Sequence, residues 1–278
     1  MRILTDSTSD YTRQEAEQFN IDIVPLKVII DGKEYKDRVD IQPEEFYEKL
    51  VCSEELPTTS QPSPQDFLDY ITKAKKANEP ILMILLSSVL SGTYQSAMIA
   101  KELSGYDDVY IIDSQTTILG LRLLVDKAIE LKNEGKDVKE IVSIIEMMKE
   151  KVRIFAIVDT LEYFYKGGRL SKTTTIAGTL LKLKPIVGLK TGNLGVFAKA
   201  RGSVKGINEV IRLIHENNDI DLHEKIYVGY TGGHQGIDKF INMIDEKFSI
   251  GNVPCIIVGP VIGTHVGPNA KAIAYFCQ

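Results

Sequence analysis

A continuous apolar run, Ile81-Leu82-Met83-Ile84-Leu85-Leu86, leads directly into the hydroxyl-rich stretch Ser87-Ser88-Val89-Leu90-Ser91-Gly92-Thr93. Apolar side chains at every position are typical of a parallel strand that is covered on both faces. From Tyr94 to Leu103 the chain then has the spacing of a helix. This order of strand, polar turn and helix predicts one unit of an open α/β sheet, in which ligands bind beyond the carboxyl ends of the strands.

The rest of the first half repeats this alternation of short strands and helices. The predicted strands are Arg2–Thr5, Ile81–Leu86 and Val109–Ile112, and the predicted helices begin near Thr12, Pro64, Tyr94, Thr117 and Val138. Ser63 is a good N-cap, and Pro64 fits the first helical position. We therefore predict an N-terminal doubly wound, Rossmann-like α/β domain over residues 1–152.

The second half has a less regular order of elements. The predicted elements are a strand at Val152–Val158, a helix near Thr173–Leu183, a hairpin around Thr191-Gly192-Asn193, a helix near Val204–Glu216, and strands at Lys225–Tyr230 and Cys255–Val258. This order predicts a second α/β domain with a mixed sheet over residues 153–278. The predicted fold class is thus α/β throughout.

The composition is that of an ordinary globular protein. Of the 278 residues, 44% are hydrophobic and 26% are charged, and the net charge is -5. An acidic chain of this kind is not expected to bind nucleic acid. The apolar stretches are too short to span a bilayer, and Asp6 stands where a signal peptide would need an apolar residue. We therefore expect a cytoplasmic protein without a transmembrane segment.

Metal and cofactor chemistry has no support in the sequence. The three cysteines, Cys52, Cys255 and Cys277, lack metal-ligand spacing, so we expect reduced thiols. Asp6 and Asp113 follow two predicted strands, where isolated carboxylates usually cap or turn the chain. Neither phosphate-binding glycine motif, Gly-x-x-x-x-Gly-Lys-Ser/Thr or Gly-x-Gly-x-x-Gly, occurs in the chain. We expect no metal and no cofactor.

Three hydroxyl-rich turns carry the side chains best suited to bind an anion. They are Pro57–Ser63, Ser87–Thr93 and Ile262–Pro268, and together they supply neutral donors and one imidazole but no carboxylate. Such donors can bind the carboxylate head of a ligand without removing a proton. The hydroxyl groups also have a structural interpretation, because Ser and Thr at helix entries commonly cap backbone N–H groups.

A basic stretch extends from Tyr163 to Asn208, where the chain has no Asp or Glu. Its basic residues are Lys166, Arg169, Lys172, Lys182, Lys184, Lys190, Lys199, Arg201 and Lys205. Such segregation in an acidic chain favours a local positive face for a phosphate-bearing or acidic partner. The alternative is a solvated face whose acidic complement lies elsewhere in the fold.

Several motifs, in this order, resemble those of the DegV family over nearly the whole chain. They are Thr5-Asp6-Ser7-Thr8, Thr58-Thr59-Ser60-Gln61-Pro62, Ser87-Ser88 with Leu90–Ala97, Lys166-Gly167-Gly168-Arg169-Leu170-Ser171, Lys184-Pro185-Ile186 and Ile262–Pro268. One departure is Asn269, where the family often has Gly; Asn tolerates the left-handed backbone, so the loop remains plausible.

The resemblance implies a bacterial fatty-acid-binding protein that holds an acyl chain between its two domains. It also implies that the protein does no chemistry itself but presents the carboxylate to a separate ATP-dependent fatty acid kinase subunit, which makes acyl phosphate for phospholipid synthesis. By motif position, the carboxylate contacts would be Thr59, Ser91 and His265. Arg169 and Arg201 match family arginines near the pocket mouth and the kinase-docking surface.

The polar residues of these turns have alternative roles. With the resemblance, ligand binding is preferred over capping for Thr59 and Ser91, which are both expected at strand ends of one sheet, and His265 is expected in a loop. A serine hydrolase built on Ser91 and His265 is the alternative, although no Gly-x-Ser-x-Gly motif occurs. His215 and His223 are expected at the surface. The preferred acyl chain, the oligomeric state and the role of His234 are left undetermined.

Overall fold

The computed structural model describes residues 1–53, 55–170 and 183–278. The helix predicted near residues 173–183 lies outside them, except for Leu183, which begins a strand. The strands are β1 (Arg2–Asp6), β2 (Ile21–Val24), β3 (Lys27–Ile30), β4 (Lys33–Lys36), β5 (Thr58–Ser60), β6 (Ile81–Leu85), β7 (Val109–Asp113), β8 (Val152–Ile157), β9 (Leu183–Lys190), β10 (Asn193–Arg201), β11 (Tyr227–Tyr230), β12 (Cys255–Ile257) and β13 (Lys271–Phe276).

The helices connect these strands. They are α1 (Arg13–Phe19), α2 (Pro43–Cys52), α3 (Pro64–Ala77), α4 (Thr93–Ser104), α5 (Ile118–Asn133), α6 (Val138–Met148), α7 (Glu162–Lys166), α8 (Ser203–Glu216), α9 (Ile237–Phe248) and α10 (Pro260–Val266). Within the described ranges, none of them is long and apolar enough to cross a bilayer.

The first sheet is parallel and has the strand order β2-β1-β6-β7. Every side chain of β6 is buried, because α3 and α4 cover one face of the sheet and α5 covers the other. The continuous apolar run at Ile81–Leu85 is therefore explained by burial on both faces. The prediction of a doubly wound first sheet is confirmed.

The second sheet has the strand order β10-β9-β8-β13-β11-β12. Only β11 and β12 pair in parallel among its described strands, so the sheet is mixed, as the sequence predicts. Its strand β8 begins at Val152, where the sequence places the domain boundary, which stays a prediction. One apolar core extends across this boundary, because residues of α5 connect Ile3 and Leu82 of the first sheet with Ala272 and Phe276 of the second.

A small antiparallel sheet, β4-β3-β5, corrects one prediction about Thr59. The sequence places this residue in a turn at the edge of the parallel sheet. Instead, Thr59 lies inside β5 and pairs with Val28 of β3. The strand is short and polar, so its pairing with a distant segment gives no local signal.

A second correction concerns His265, which lies in helix α10 and not in a loop. Pro260 occupies the first turn of this helix, and Gly267, with φ of 77°, ends it. Gly263 is required inside the helix, because a Cβ there would come within 2.6 Å of the Tyr47 hydroxyl of α2. Helices α2 and α9 and strand β13 were not predicted from the sequence, although β13 lies in the middle of the second sheet.

Candidate ligand site

A cavity of about 350 Å³ lies between α10, the loop after β6, and strands β8 to β10. Most of its wall is aliphatic and comes from both halves of the chain. Its aliphatic residues include Leu26, Leu86, Ile118, Ile154, Leu189 and Val261. Space of this kind is suited to a hydrocarbon chain, because burial of apolar surface is favourable without any direction-specific contact.

Polar side chains occupy part of the same wall, and they include Thr59, Ser91 and His265. The structure therefore brings together the three residues that the resemblance assigns to a carboxylate. Thr59 Oγ1 lies 2.8 Å from His265 Nε2, so the two side chains share a hydrogen bond across the β5–α10 contact. Thr59 does not act as a helix cap, and the capping interpretation is thus wrong for this residue.

The imidazole of His265 is held in its neutral form. Burial, reinforced by the charge of Arg169, lowers the pKa of His265 to about 4. Its second ring nitrogen, Nδ1, is buried and has no hydrogen-bond partner among the described residues. A neutral imidazole carries a single N–H, and the Thr59 hydroxyl can accept from Nε2 when that nitrogen holds the proton or donate to it when Nδ1 does.

Gly167 provides the space into which the imidazole fits. A Cβ at this position would lie 2.2 Å from His265 Nδ1 and 3.0 Å from the Tyr163 carbonyl oxygen. A Cβ at Gly267 would likewise lie 2.3 Å from Cδ2 of the Tyr163 ring. The glycines of the Lys166-Gly167-Gly168 and His265-Val266-Gly267 motifs thus allow α7 and α10 to approach closely.

Ser91 lies in the loop between β6 and α4, beyond the carboxyl end of a parallel strand, as predicted. Its Oγ is 2.9 Å from Thr93 Oγ1 and accepts the Thr93 backbone N–H at 3.3 Å. Capping and ligand contact are therefore compatible for this residue. Asp113 holds the loop from the neighbouring strand, since it accepts the backbone N–H of Ser88 at 3.1 Å.

The two arginines are not equivalent. Arg169 lines the cavity, where its Nε donates to the Leu90 carbonyl at 3.1 Å and its Nη1 donates to the Gly167 carbonyl at 2.6 Å. Arg201 is exposed at the far end of β10. The strand rise places it roughly 20 Å from Leu194, the residue of β10 that lines the cavity. Arg169 therefore lies at the cavity, whereas the place of Arg201 near the pocket mouth stays a prediction.

Comparison with known proteins decides the family. The model of the family described as "Uncharacterised protein, DegV family" matches residues 1–278. The chain belongs to the DegV family. A DegV domain-containing protein of Caldanaerobacter subterraneus subsp. tengcongensis is 38% identical over 277 residues, which cover 98% of this chain and 97% of the relative.

Solved DegV structures share the whole fold. A structure described as fatty acid binding of a DegV family protein from Thermus thermophilus has 31% identity, a TM-score of 0.90 and full coverage of both chains. DegV of Bacillus subtilis, described as a fatty acid binding protein, has 30% identity and a TM-score of 0.86, with 100% of this chain and 99% of that chain covered. A stearic acid-binding protein from Eubacterium ventriosum has 27% identity, a TM-score of 0.90 and coverages of 100% and 98%.

The hydrolase alternative does not fit this DegV site. His265 Nε2 contacts Thr59 and not Ser91, whose hydroxyl contacts Thr93. No carboxylate of the described residues bonds to His265 Nδ1, so the histidine lacks the acidic partner that orients a catalytic base. Nor do the described residues contain a cluster of three His, Cys, Asp or Glu side chains that could hold a metal.

The remaining histidines lie away from the cavity. His215 and His223 are exposed, as predicted. His234 is also exposed, and its Nε2 lies 2.8 Å from the hydroxyl of Tyr230. Cys52, Cys255 and Cys277 are free thiols.

Sequence reasoning missed several residues of the cavity wall. Gln61 packs against Gly92, where a Cβ would lie 2.1 Å from its Oε1, and it donates to Ser96 Oγ at 3.1 Å. Thr117 and Ile118 line the cavity at the start of α5. The available signal was a pair of threonines, Thr116 and Thr117, in the turn between β7 and α5, but one such pair does not distinguish a cap from a ligand contact.

Proposed function

We propose that this DegV protein binds a long-chain fatty acid, with the alkyl chain in the cavity and the carboxylate at Thr59, Ser91 and His265. The observation that carries the proposal is the polar group, Thr59 with His265, set in the wall of an otherwise mainly aliphatic cavity. Its support from relatives is the fatty acid binding described for DegV proteins of Thermus thermophilus and Bacillus subtilis, at 31% and 30% identity.

The alkyl chain would supply most of the affinity. Each buried methylene contributes about 0.8 kcal/mol before ordering costs, so some fifteen methylenes outweigh a large association entropy. The carboxylate contributes orientation, because a buried anion is tolerated only where donors meet it. Thr59 and Ser91 are such donors, His265 acts through Thr59, and the guanidinium of Arg169 adds positive charge nearby.

The Thr59–His265 pair has a specific role in this proposal. When the imidazole proton is on Nε2, His265 donates to Thr59 Oγ1, and the hydroxyl proton of Thr59 is then free for the carboxylate. The neutral state of the imidazole, with its pKa lowered to about 4, keeps this arrangement intact at neutral pH. His265 would thus orient Thr59 and also lie beside the ligand.

Mass spectrometry of the purified protein is the direct test. We expect a native mass larger than that of the chain by one long-chain acid, and the same acid in the solvent extract. A protein that carries no acid and does not take up octadecanoic acid when it is offered would contradict the proposal.

Substitutions in β5 provide a matched pair for the head group. Thr59→Val removes the hydroxyl but keeps the side-chain shape, and we expect octadecanoate to bind roughly 10- to 100-fold more weakly, as for loss of a hydrogen bond to a charged group. Ser91→Ala is expected to act in the same direction. Thr58→Val is the control, because Thr58 is exposed and does not line the cavity. Equal losses for Thr58→Val and Thr59→Val would rule out a specific head-group role.

We further propose that the bound carboxylate is presented to a separate ATP-dependent kinase subunit. The sequence carries no phosphate-binding glycine motif of its own. In the proposed reaction a carboxylate oxygen attacks the γ-phosphorus of ATP, and ADP leaves, so that acyl phosphate is formed for phospholipid synthesis. Because ATP is the co-substrate, the pair would work in the cytoplasm. Hydroxylamine should trap the acyl phosphate as a hydroxamate only when the loaded protein, the kinase subunit and ATP are combined.

Arg169 and Arg201 are the proposed docking residues for the kinase subunit. Arg201 is exposed and makes no ion pair with the part of the chain that the structure describes. Arg201→Glu should weaken docking without changing octadecanoate binding, and added salt should weaken docking of the unmodified protein. Lys247→Glu on α9 is the control, since Lys247 is exposed on another surface element. Equal docking by the Arg201→Glu and Lys247→Glu proteins would exclude Arg201.

A further inference from the structure

The cavity wall contains a second polar group that the head-group assignment does not use. Among the described residues, two buried side-chain atoms without a hydrogen-bond partner belong to residues that line the cavity: Nδ1 of His265 and Oγ1 of Thr117. Thr117 is only 7% exposed. A buried hydroxyl without a partner is unfavourable, and it therefore calls for an explanation.

Helix capping does not explain the Thr117 hydroxyl. Thr117 occupies the N-cap position of α5, where a threonine side chain usually accepts a backbone N–H of the first turn. Here the side chain makes no such bond. The next residue, Ile118, has φ of 49°, an unusual conformation for a β-branched residue, and it also lines the cavity. The start of α5 thus departs from normal helix-start geometry at the two residues that face the cavity.

The Thr117 hydroxyl makes no hydrogen bond with Thr59, Ser91 or His265. A Cβ at Gly120 would meet both Thr116 Oγ1, at 2.2 Å, and Val152 Cγ1, at 3.0 Å, so the start of α5 packs beside the first residue of β8. Val266, next to His265, packs with Ala156, near the other end of β8. The distance from Val152 to Ala156 along the strand is roughly 13 Å. The aliphatic residues Ile118, Ile154 and Leu189 line the same cavity as Thr117.

We propose that Thr117 determines ligand specificity by forming a hydrogen bond to a hydroxyl group on the alkyl chain of the bound acid. This inference rests on the proposed fatty acid binding and adds the substrate class: long-chain acids that carry one hydroxyl group away from the carboxylate. A hydroxyl is the best match, because it can donate to or accept from Thr117 Oγ1 and adds little volume to the alkyl chain.

The Thr117 hydroxyl should therefore have opposite effects on the affinities of unsubstituted and hydroxylated acids. An unsubstituted alkyl chain covers the Thr117 hydroxyl without pairing it, whereas a hydroxyl at the matching carbon pairs it. A site that hydrogen-bonds a ligand hydroxyl also discriminates against the analogue that lacks it, because its own polar group is then left unpaired. Removal of the Thr117 hydroxyl should therefore improve binding of the unsubstituted acid and weaken binding of the hydroxylated one.

The experiment compares octadecanoic acid with a series of octadecanoic acids that carry a single hydroxyl at successive carbons in the middle of the chain. In the unmodified protein we expect the acid with its hydroxyl at one particular carbon to bind roughly fivefold more tightly than the acids with the hydroxyl at neighbouring carbons. Each affinity is expressed relative to that of octadecanoic acid. In Thr117→Val, which keeps the side-chain shape, the peak should vanish and octadecanoic acid itself should bind more tightly. Thr117→Ser keeps the hydroxyl and should keep the peak.

Thr116→Val is the matched control. The Thr116 hydroxyl is likewise buried without a partner among the described residues, but Thr116 does not line the cavity, so this variant should keep the peak. A flat series in the unmodified protein, or an equal peak in Thr117→Val, would overturn the inference while octadecanoic acid still binds. Failure of every acid to bind, in all four proteins, would instead overturn the proposed fatty acid binding and this inference with it.

Discussion

The proposed function depends on the neutral state of the His265 imidazole. Burial and the charge of Arg169 lower its pKa from 6.5 to about 4. In the unfolded chain the imidazole takes up a proton near pH 6.5, so the folded protein binds fewer protons between these two values. The stabilising effect of the neutral imidazole is fully present above pH 6.5 and is lost as the pH falls towards 4.

This residue gives a titration prediction. Nuclear magnetic resonance of the imidazole protons should show His265 with a pKa near 4 in the free protein. Addition of octadecanoate should raise that pKa, because a carboxylate next to the ring favours the protonated form. His223, which is exposed and does not line the cavity, serves as the internal reference: its ring signals should not move when the acid is added at constant pH. An unchanged His265 pKa after saturation would place the carboxylate elsewhere.

Gly167 gives a steric prediction at the same scale. An added methyl group would lie 2.2 Å from His265 Nδ1, so Gly167→Ala should displace the imidazole from Thr59. We expect octadecanoate to bind roughly 5- to 10-fold more weakly, as for loss of one hydrogen bond. Gly233→Ala is the control, because nothing lies within 4 Å of a Cβ at that position. Equal affinities for the two variants, measured by titration calorimetry, would show that the imidazole position does not matter.

At the scale of an element, helix α10 positions His265, and a buried charged cluster holds the start of that helix. Asp10 Oδ1 accepts the backbone N–H of Gly259 at 3.0 Å and the Nε of Arg38 at 3.0 Å. Arg38 Nη2 donates to the carbonyl of Ile257 at 2.6 Å. Asp37, which accepts from the hydroxyl of Ser7 at 2.9 Å, lies in the same cluster. The loops around Asp10 and Asp37 thus fix the segment that leads into α10.

Asp37 makes the cluster sensitive to pH. Burial, followed by the charge of Asp10, raises the pKa of Asp37 to about 7 from 3.8. Between pH 3.8 and about 7 the folded protein therefore holds a proton that the unfolded chain has lost, so the stabilisation from that proton decreases across this range and is gone above about pH 7. Asp37→Asn, which has no such charge, should be more stable than the unmodified protein by about 1 kcal/mol or more at about pH 8.5, and this gain should shrink at about pH 5.5. Urea unfolding at both pH values checks this, and a gain that does not depend on pH would contradict it.

The elements also show which parts of the fold the sequence could predict. β6 was predictable because all of its residues are apolar and it is buried on both faces. Helix α10 was not, because Gly263 and Thr264 are poor helix formers, and the helix depends on Asp10, Arg38 and the aromatic side chains of α2. Strand β5 was not predicted for a related reason, since its partner β3 lies far away in sequence. The family resemblance predicted that Thr59, Ser91 and His265 contact one ligand. Their geometry depends on non-local contacts, which the sequence pattern does not show.

At the scale of the whole molecule, α5 joins the two sheets. Its Asp126 accepts the hydroxyl of Tyr11 at 2.9 Å on one side and the hydroxyl of Tyr227, from β11, at 2.5 Å on the other. The guanidinium of Arg122, one turn earlier, lies 4.1 Å from the ring centre of Tyr11 and 5.2 Å from that of Tyr227. Together with the apolar core that spans both sheets, this network makes the two predicted domains one packed unit.

Tyr11 and Tyr227 therefore give a prediction about cooperativity. Tyr11→Phe and Tyr227→Phe should each lower the free energy of unfolding by about 1.5–3 kcal/mol, because each removes a hydrogen bond to a buried carboxylate. The losses should not add in the double variant, since both hydroxyls donate to Asp126 and the second loss changes a carboxylate that is already incompletely paired. Tyr70→Phe is the control, because its hydroxyl donates to the Ile23 carbonyl outside this network, and its effect should add to that of either variant.

Unfolding in urea, followed by circular dichroism and tyrosine fluorescence, measures these changes. If α5 couples the two sheets as the contacts indicate, both signals should follow a single transition, in the variants as in the unmodified protein. Saturation with octadecanoate should move that single transition to higher urea, because the cavity takes its wall from both sheets. Two separate transitions, of which the acid moves only one, would show that the halves unfold independently and that the ligand is held by one of them alone.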